Sequence, residues 1–244
     1  MTELNFPKEE ARGSSLATRA LGAFGQYRGK EPLIILAFSH GGAEALRSTL
    51  AHELDLAYTW STGVLPLCRT ATMVWRSVEG SRGAASSMLA RKSVHALISA
   101  QISVILATTG KMQWCETAIA PTECAESFLE IFPSAKFICL YRSCTQVIAA
   151  GLQTGFGDTL MRENIYPGDQ VNSLASYWAY RAESLLAFEF AHPDACQRLL
   201  YEDLEPSEAD VVRHAASSLT GRLAPQLRER INSVLARLSY PPLP

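Results

Sequence analysis

The most constraining feature of the sequence is a continuous apolar run over residues 32–38. Such a run is typical of a strand buried on both faces, as in the parallel sheets of α/β proteins. A turn with two glycines follows at 39–42, and Leu46, Leu50 and Leu54 then repeat at every fourth position. This spacing places the three leucines on one face of a helix. The front of the chain is therefore predicted to fold as strand, glycine turn and helix.

The rest of the chain alternates between strand-like and helix-like segments. Further strands are predicted at 102–107, 136–141 and 198–201. Further helices are predicted at 84–101, 123–132, 145–152, 172–191, 207–219 and 225–238. Such alternation favours a three-layer α/β domain, in which a mostly parallel sheet is covered by helices on both faces.

Chain length and composition bound the number of domains. The 244 residues correspond to one large domain or two small ones, at roughly 150 residues per domain. Residues 1–30 are polar and rich in glycine, serine and alanine, with little periodicity. We therefore predict a loose N-terminal arm over residues 1–30 and a single domain over residues 31–244.

Charge and cysteine content exclude several classes of function. The 22 basic and 24 acidic residues give a net charge of −2, and the basic residues do not cluster as nucleic-acid binding requires. The apolar run is far shorter than the ~20 residues of a membrane span, and the charged N-terminus does not resemble a signal peptide. The six cysteines form no CxxC pair, and no metal-ligand spacing occurs. We expect a reduced, cytoplasmic protein that binds no nucleic acid, membrane or metal.

The predicted ligand site lies at the carboxyl ends of the strands, where parallel sheets bind their ligands. The turn at 39–44 carries two glycines and begins a helix, so its backbone N–H groups can approach a phosphate or sulfate. An ordinary strand-to-helix turn is the alternative. Arg142 directly follows the strand at 136–141, where a guanidinium can bind a phosphate through two hydrogen bonds. A plain surface arginine is the alternative there. The other strand ends are expected at 108–117 and 201–203.

Several segments, taken in chain order, resemble the sulfotransferase family that uses 3′-phosphoadenosine-5′-phosphosulfate (PAPS). They are the front strand, turn and helix, FPSAKFICLYR at 132–142, the helix with Tyr177-Trp178, YEDL at 201–204 and LRERINSVLARLSYPPL at 227–243. The resemblance implies a fold related to the P-loop kinases and PAPS as the sulfuryl donor. It also implies transfer of that group to a hydroxyl or amine of a small molecule, in specialised biosynthesis.

The resemblance further implies a set of cofactor-binding residues. The turn would hold the 5′-phosphosulfate, Arg142 would hold the 3′-phosphate, and Tyr201 would lie near the adenine. The implied cofactor-binding residues are Ser39, His40, Gly41, Gly42, Ala43, Arg142 and Tyr201.

The sequence departs from the family pattern at several of these places. His40 stands where the family has Lys or Arg, Glu44 where it has threonine, and Ala150 where it has a serine for the 3′-phosphate. The segment that closes over the cofactor is short, with only residues 220–222 matching it. Each charge-assisted hydrogen bond lost is worth about 1.5–3 kcal/mol. Two alternatives therefore stay open. One is the same fold without PAPS, using acid/base or elimination chemistry on a sulfated or phosphorylated substrate. The other is a non-catalytic binding partner.

Sulfuryl transfer needs a base for the acceptor and positive charge at the leaving phosphate. His40 can serve in either role, because imidazole titrates near neutral pH; a polar cap is the alternative. Glu116, predicted to follow the strand at 102–107, is a candidate base or a carboxylate at a helix start. Glu44 is a candidate acid or base for the reaction without PAPS. We place the acceptor against the glycine-punctuated connection at 151–168, and a homo-oligomer stays open.

Overall fold

The computed structural model describes residues 31–53, 56–82, 84–119, 122–163, 165–166, 168–204 and 223–243. Within them, the strands are β1 (Leu33–Leu36), β2 (Leu56–Trp60), β3 (Gln113–Ala118), β4 (Lys136–Tyr141) and β5 (Cys196–Leu200). They form one sheet in the order β2-β3-β1-β4-β5, and every neighbouring pair runs parallel. The connection from β1 leads toward β2 at one edge of the sheet, and the connection from its neighbour β4 leads toward β5 at the other edge. The crevice between β1 and β4 is therefore a topological switch point, where open α/β sheets bind their ligands.

Helices connect these strands and cover the sheet on both faces, as the alternating pattern predicts. The described helices are α1 (Ala43–Glu53), α2 (Val64–Arg82), α3 (Ala84–Thr109), α4 (Thr122–Ile131), α5 (Cys144–Gln153), α6 (Phe156–Arg162), α7 (Gln170–Ala191), α8 (Tyr201–Leu204) and α9 (Pro225–Arg237). None of the helices in the described residues is long and apolar enough to cross a membrane.

The first strand is buried on both faces, which explains its uninterrupted apolar sequence. Leu33 and Ile35 point to one face, where they pack with Leu46 and Leu50 of α1. Ile34 points to the opposite face, into the larger cluster formed with the long helix α7 and its neighbours. The two faces give three layers, so the α/β class is confirmed, and the predicted face of α1 is confirmed for Leu46 and Leu50.

The predicted strand at 102–107 is wrong, because these residues form the last turns of α3. A short apolar run cannot be distinguished from a helix by periodicity alone. No proline or glycine interrupts the chain from Ala84 to Thr109, so nothing ends the helix early. Ile102 and Ile105 pack against the core, whereas Val104 is exposed.

Two strands were not predicted, and one strand end was misplaced as a result. β2 has a mixed burial pattern, and β3 carries polar residues such as Gln113 and Glu116. A strand that contains polar residues is hard to recognise from its hydrophobic pattern. Burial and cross-strand packing decide whether such a segment forms a strand, more than the propensities of its residues do. The predicted strand end at 108–117 is therefore wrong, and Glu116 lies inside β3 rather than after a strand.

The remaining predictions fall into two groups. The apolar run at 136–141 is β4. The strand predicted at 198–201 is β5, which begins two residues earlier and ends one residue earlier. The helices predicted at 123–132, 145–152, 172–191 and 225–238 match α4, α5, α7 and α9. The connection at 151–168 is less irregular than predicted, because it contains α6. The arm at 1–30, Leu54 and the helix at 207–219 lie outside the described residues.

Candidate active site

The turn after β1 is tight and adopts backbone conformations that few residues tolerate. His40 has φ +64° and Gly42 has φ +84°, both in the left-handed region that favours glycine. The N–H of Gly41 donates to the carbonyl of Phe38 at 2.8 Å. The N–H of Ser39 donates to the phenolic oxygen of Tyr177 at 2.8 Å. These bonds fix the direction in which the chain enters α1.

Tyr201, at the end of β5, lies directly against this turn. A Cβ atom added at Gly42 would lie 1.9 Å from a ring carbon of Tyr201. The guanidinium of Arg142, which follows β4, stacks on the same ring at 4.1 Å from the centroid. Arg142 Nη1 also donates to the carbonyl of His40 at 3.0 Å. The ends of β1, β4 and β5 therefore bring the turn, Arg142 and Tyr201 together.

The backbone and side chain of Arg142 are both held in place. Its Nε donates to Gln146 Oε1 at 3.0 Å, and its carbonyl accepts a bond of 2.8 Å from the indole N–H of Trp178. Trp178 is fully buried in α7. A rigid helix thus fixes the position of the arginine at the sheet edge.

The side chain of His40 lies beside the segment that follows α5. Its Nε2 is 3.3 Å from the hydroxyl of Thr154, and its ring centroid is 5.2 Å from that of Phe156. Burial, and secondarily the nearby charge of Arg142, lower the pKa of His40. The imidazole is therefore neutral at physiological pH, which is the form that accepts a proton.

Glu44 points toward solvent at the start of α1. Its carboxylate bonds to Arg47 one turn later, and its side chain is 63% exposed. The hydrogen bond from Arg47 lowers the pKa of Glu44. The negative charge of Glu44 is therefore compensated within α1.

Glu116 is a buried carboxyl group in β3, only 1% exposed. Its Oε2 accepts a hydrogen bond from the hydroxyl of Thr62 and lies 3.4 Å from that of Thr59. Burial raises the pKa of Glu116, and the bonds from Thr62 and Thr59 oppose this in part. These bonds attach Glu116 to the loop after β2, and none of its hydrogen bonds in the described residues goes to Arg142 or the turn. Glu116 therefore belongs to β3, whereas the turn at 39–44 follows the neighbouring strand β1.

Glu202 lies beside the candidate site, and it was not among the site residues predicted from the sequence. Its Oε1 accepts a bond of 2.8 Å from the N–H of Ser143, and its other oxygen accepts one from the hydroxyl of Tyr240. The carboxylate thus joins the start of α5, directly after Arg142, to the C-terminal segment. A carboxylate at a helix N-terminus is stabilising. In the sequence, only the two acidic residues of YEDL after a predicted strand pointed to a role for Glu202.

We expect Glu202→Ala to lower the free energy of unfolding by about 1.5–3 kcal/mol, the range for a hydrogen bond to a charged group. The reason is that the N–H of Ser143 and the hydroxyl of Tyr240 lose their acceptor. Urea denaturation measures the change. Asp203→Ala is the matched control, because Asp203 is the exposed neighbour. Equal effects of the two substitutions would rule out the link.

The fold places the candidate residues at the carboxyl edge of a parallel α/β sheet, and comparison with known proteins identifies the family. A model of the sulfotransferase family matches residues 13–219. The chain therefore belongs to the sulfotransferase family and is a sulfotransferase-like transferase. The match begins within the segment predicted as an N-terminal arm.

A solved structure supports the same fold. The sulfotransferase domain from the curacin biosynthetic pathway superimposes with a TM-score of 0.50 at 17% identity, over 83% of this chain and 78% of that domain. At this identity the similarity shows the fold alone. No curated protein sequence matches the chain. In the described residues, no group of three or more His, Cys, Asp or Glu side chains can hold a metal ion.

Proposed function

We propose that this chain transfers the sulfuryl group of PAPS to a hydroxyl or amine of a small-molecule acceptor, through a single domain over residues 31–244. The observation that carries the proposal is the meeting of the turn at 39–43, Arg142 and Tyr201 at the carboxyl edge of the sheet. Membership of the sulfotransferase family supports it.

The residues at this edge fit an anionic group. The N-terminal end of α1 carries a partial positive charge. Arg142 adds a full positive charge beside the carbonyl of His40. We assign the turn at 39–43 to the 5′-phosphosulfate, Arg142 to the 3′-phosphate and Tyr201 to the adenine. PAPS, when bound, supplies the sulfuryl group, and these residues orient it.

Two residues are candidates for the base that takes the proton of the acceptor. His40 is the first, because its lowered pKa leaves it neutral and it lies in the turn itself. Glu116 is the second, because its raised pKa suits a base near neutral pH, and the hydroxyl of Thr62 lies over it. We place the acceptor beside His40, along the segment that carries Thr154 and Phe156.

A second candidate function is favoured by one observation. A neutral His40 supplies no positive charge to a leaving phosphate, where the family has Lys or Arg. The same edge would then bind a substrate that already carries sulfate or phosphate, with His40, Glu44 or Glu116 as acid or base. A third alternative is a non-catalytic binding protein, which would bind the anionic ligand at this edge without catalysing a reaction.

The test uses 3′-phosphoadenosine-5′-phosphate (PAP), the product that remains after transfer. A ligand that binds only the folded protein stabilises it, by about 2.7 kcal/mol at 100 times its Kd. We expect millimolar PAP to raise the Tm, and equimolar sodium sulfate to raise it less. An unchanged Tm with PAP, together with stabilisation by an organic sulfate or phosphate ester, would contradict PAPS use and support the second function.

A further inference from the structure

The carboxyl group of Glu116 is buried without a positively charged partner in the part of the chain that the structure describes. Burial is the main influence on the pKa of Glu116, and it raises that pKa. The opposing influences are hydrogen bonds from Thr62 and Thr59, and no charge of a Lys, Arg or His side chain is among them. A buried carboxylate needs a cation or hydrogen bonds to offset its lost hydration. The two threonines are therefore the groups that stabilise the ionised form of Glu116.

The titratable groups around Glu116 do not take the place of a cation. Cys68 of α2, Tyr58 of β2 and the adjacent Cys115 are the groups whose own pKa values respond to the charge of Glu116. Burial raises the pKa of all three, to about 12 for Cys68, so each of them is neutral at physiological pH. The ionisation of Glu116 thus depends on burial and on the threonine hydrogen bonds.

Thr62 contacts this carboxylate from the loop between β2 and α2. Its hydroxyl donates to Oε2 of Glu116, and its backbone N–H also bonds to the carboxylate. The oxygen of the same hydroxyl accepts the N–H of Val64 at 3.4 Å. Because that N–H occupies a lone pair of the oxygen, the hydroxyl proton is left to point at Glu116. Thr62 therefore holds the carboxylate through both its side chain and its backbone.

Thr59 supports the same oxygen from the neighbouring strand. The sheet register places Thr59 of β2 opposite Glu116, and its hydroxyl lies 3.4 Å from Oε2. That hydroxyl accepts a bond of 2.7 Å from the indole N–H of Trp114. Its single proton is shared between Glu116 and the carbonyl of Cys115, which lies 3.3 Å away. Thr59 is therefore the weaker donor to the carboxylate, and Thr62 is the stronger one.

The backbone is strained on one side of Thr62 and left-handed on both. Ser61 has φ +46° and Gly63 has φ +84°. Glycine adopts this conformation freely, whereas it is unfavourable for a residue such as Ser61 that carries a Cβ. The N–H of Ser61 donates to the carbonyl of Thr117 at 3.1 Å, which ties the strained residue to β3. Strain of this kind persists only where the surrounding structure fixes it, so the position of Thr62 over Glu116 is built into the backbone.

We propose that Thr62 is a positioning residue for Glu116, and that Glu116 takes the proton of the acceptor in the sulfuryl transfer proposed above. The inference rests on that proposed function. Thr62 fixes the direction of the carboxylate through its two contacts. Its hydroxyl also stabilises the ionised form of Glu116, because a hydrogen bond to a charged group favours the charged form. The ionised form is the one that can accept a proton.

The first measurement is the titration of Glu116 in the full chain, followed by NMR of isotope-labelled glutamate carboxyl groups, with Glu116→Gln identifying the signal. Thr62→Val removes the hydroxyl and keeps the shape of the side chain, so the midpoint should rise by about 1–2 pH units. Thr62→Ser keeps the hydroxyl and should titrate as the wild type does. Thr72→Val is the matched control, because Thr72 is a buried threonine of α2 whose hydroxyl bonds to the carbonyl of Cys68. This variant should leave the midpoint unchanged.

The second measurement is the hydrolysis of PAPS, in which water takes the place of the acceptor. The oxygen of water bonds to sulfur as the bond from sulfur to PAP breaks with its electron pair, and Glu116 takes a proton of the water. In Thr62→Val the midpoint of the pH–rate profile should move upward together with the titration midpoint. Below both midpoints the rate should fall by about 10- to 100-fold, in proportion to the ionised fraction. The KM for PAPS should stay unchanged, because Thr62 is not among the proposed donor-binding residues.

Three results would overturn the proposal. The first is the same titration midpoint in Thr62→Val and the wild type. The second is a titration midpoint that moves while the pH–rate midpoint stays, which would make the contact purely structural. The third is a wild type that binds PAP but hydrolyses no PAPS above the uncatalysed rate.

The two measurements also separate this proposal from the proposed function. A wild type that binds no PAP contradicts the proposed function, whereas an unmoved titration midpoint contradicts the role of Thr62 alone. If Thr62→Val does not fold, Thr62→Ala removes the same hydroxyl and takes its place in both measurements.

Discussion

Gly42→Ala will lower the free energy of unfolding by about 2–5 kcal/mol, the largest stability change that we expect at the site. The left-handed conformation of Gly42, at φ +84°, costs a residue with a Cβ about 1–2 kcal/mol. The new methyl group would also lie 1.9 Å from the ring of Tyr201, and overpacking of this kind costs about 1–3 kcal/mol. Because Arg142 stacks on the same ring, the substitution should also weaken the binding of PAP.

The protein contains a matched control that separates these two costs. Gly63 has the same φ of +84°, but a Cβ there would meet no atom within 4 Å. Gly63→Ala should therefore show only the backbone cost. The double variant Gly42→Ala with Tyr201→Ala should recover the steric part, which a double-mutant cycle measures. If Gly42→Ala and Gly63→Ala cost the same in urea denaturation, the close contact with Tyr201 is contradicted.

Glu116→Gln will raise stability at alkaline pH, and it will lower turnover if Glu116 is the base. Burial raises the pKa of Glu116, so the stability that this group contributes is complete below its unfolded pKa. That contribution is lost as the pH rises through the folded pKa. Above the folded pKa the wild type carries a buried charge that glutamine avoids, so the variant should be more stable there by about 1–3 kcal/mol, the penalty for desolvating a buried polar group. If Glu116 is the base, turnover should fall by about 10²–10⁴.

Measuring Tm at pH 5 and pH 8 checks the sign of this effect. The advantage of Glu116→Gln should be larger at pH 8, and Glu126→Gln, an exposed glutamate on α4, should show no such difference. A variant that is less stable than the wild type at both values would contradict the buried charge. Unchanged turnover in Glu116→Gln, with a large loss in His40→Ala, would assign the proton transfer to His40.

Most of the sheet that positions the site was predictable, because β1 and β4 are buried on both faces and their sequences are continuously apolar. β2 and β3 were not predictable in the same way. Their patterns mix polar and apolar residues, and packing against α1 on one face and against α2 and α3 on the other decides their state. The run at 102–107 was predicted as a strand but is helical. A short apolar run has the same composition in a helix as in a strand, so composition alone does not distinguish the two.

The candidate site was predictable where it depends on strand ends, and not where it depends on distant contacts. The turn at 39–42 and Arg142 follow directly from β1 and β4. The bond from Ser143 to Glu202 joins residues 59 positions apart, and the bond from Ser39 to Tyr177 joins residues 138 positions apart. No local pattern encodes such pairs, because they depend on how the layers pack.

Calorimetric titration with PAP tests the donor site most directly, because it measures binding at the proposed residues without an acceptor. We expect the wild type to bind PAP with micromolar affinity and Arg142→Ala to weaken it by roughly 10- to 150-fold, since a charge-assisted contact contributes about 1.5–3 kcal/mol. Arg237→Ala, an exposed arginine on α9, should bind as the wild type does. No binding at millimolar PAP, or equal affinity in Arg142→Ala, would contradict the proposed donor site.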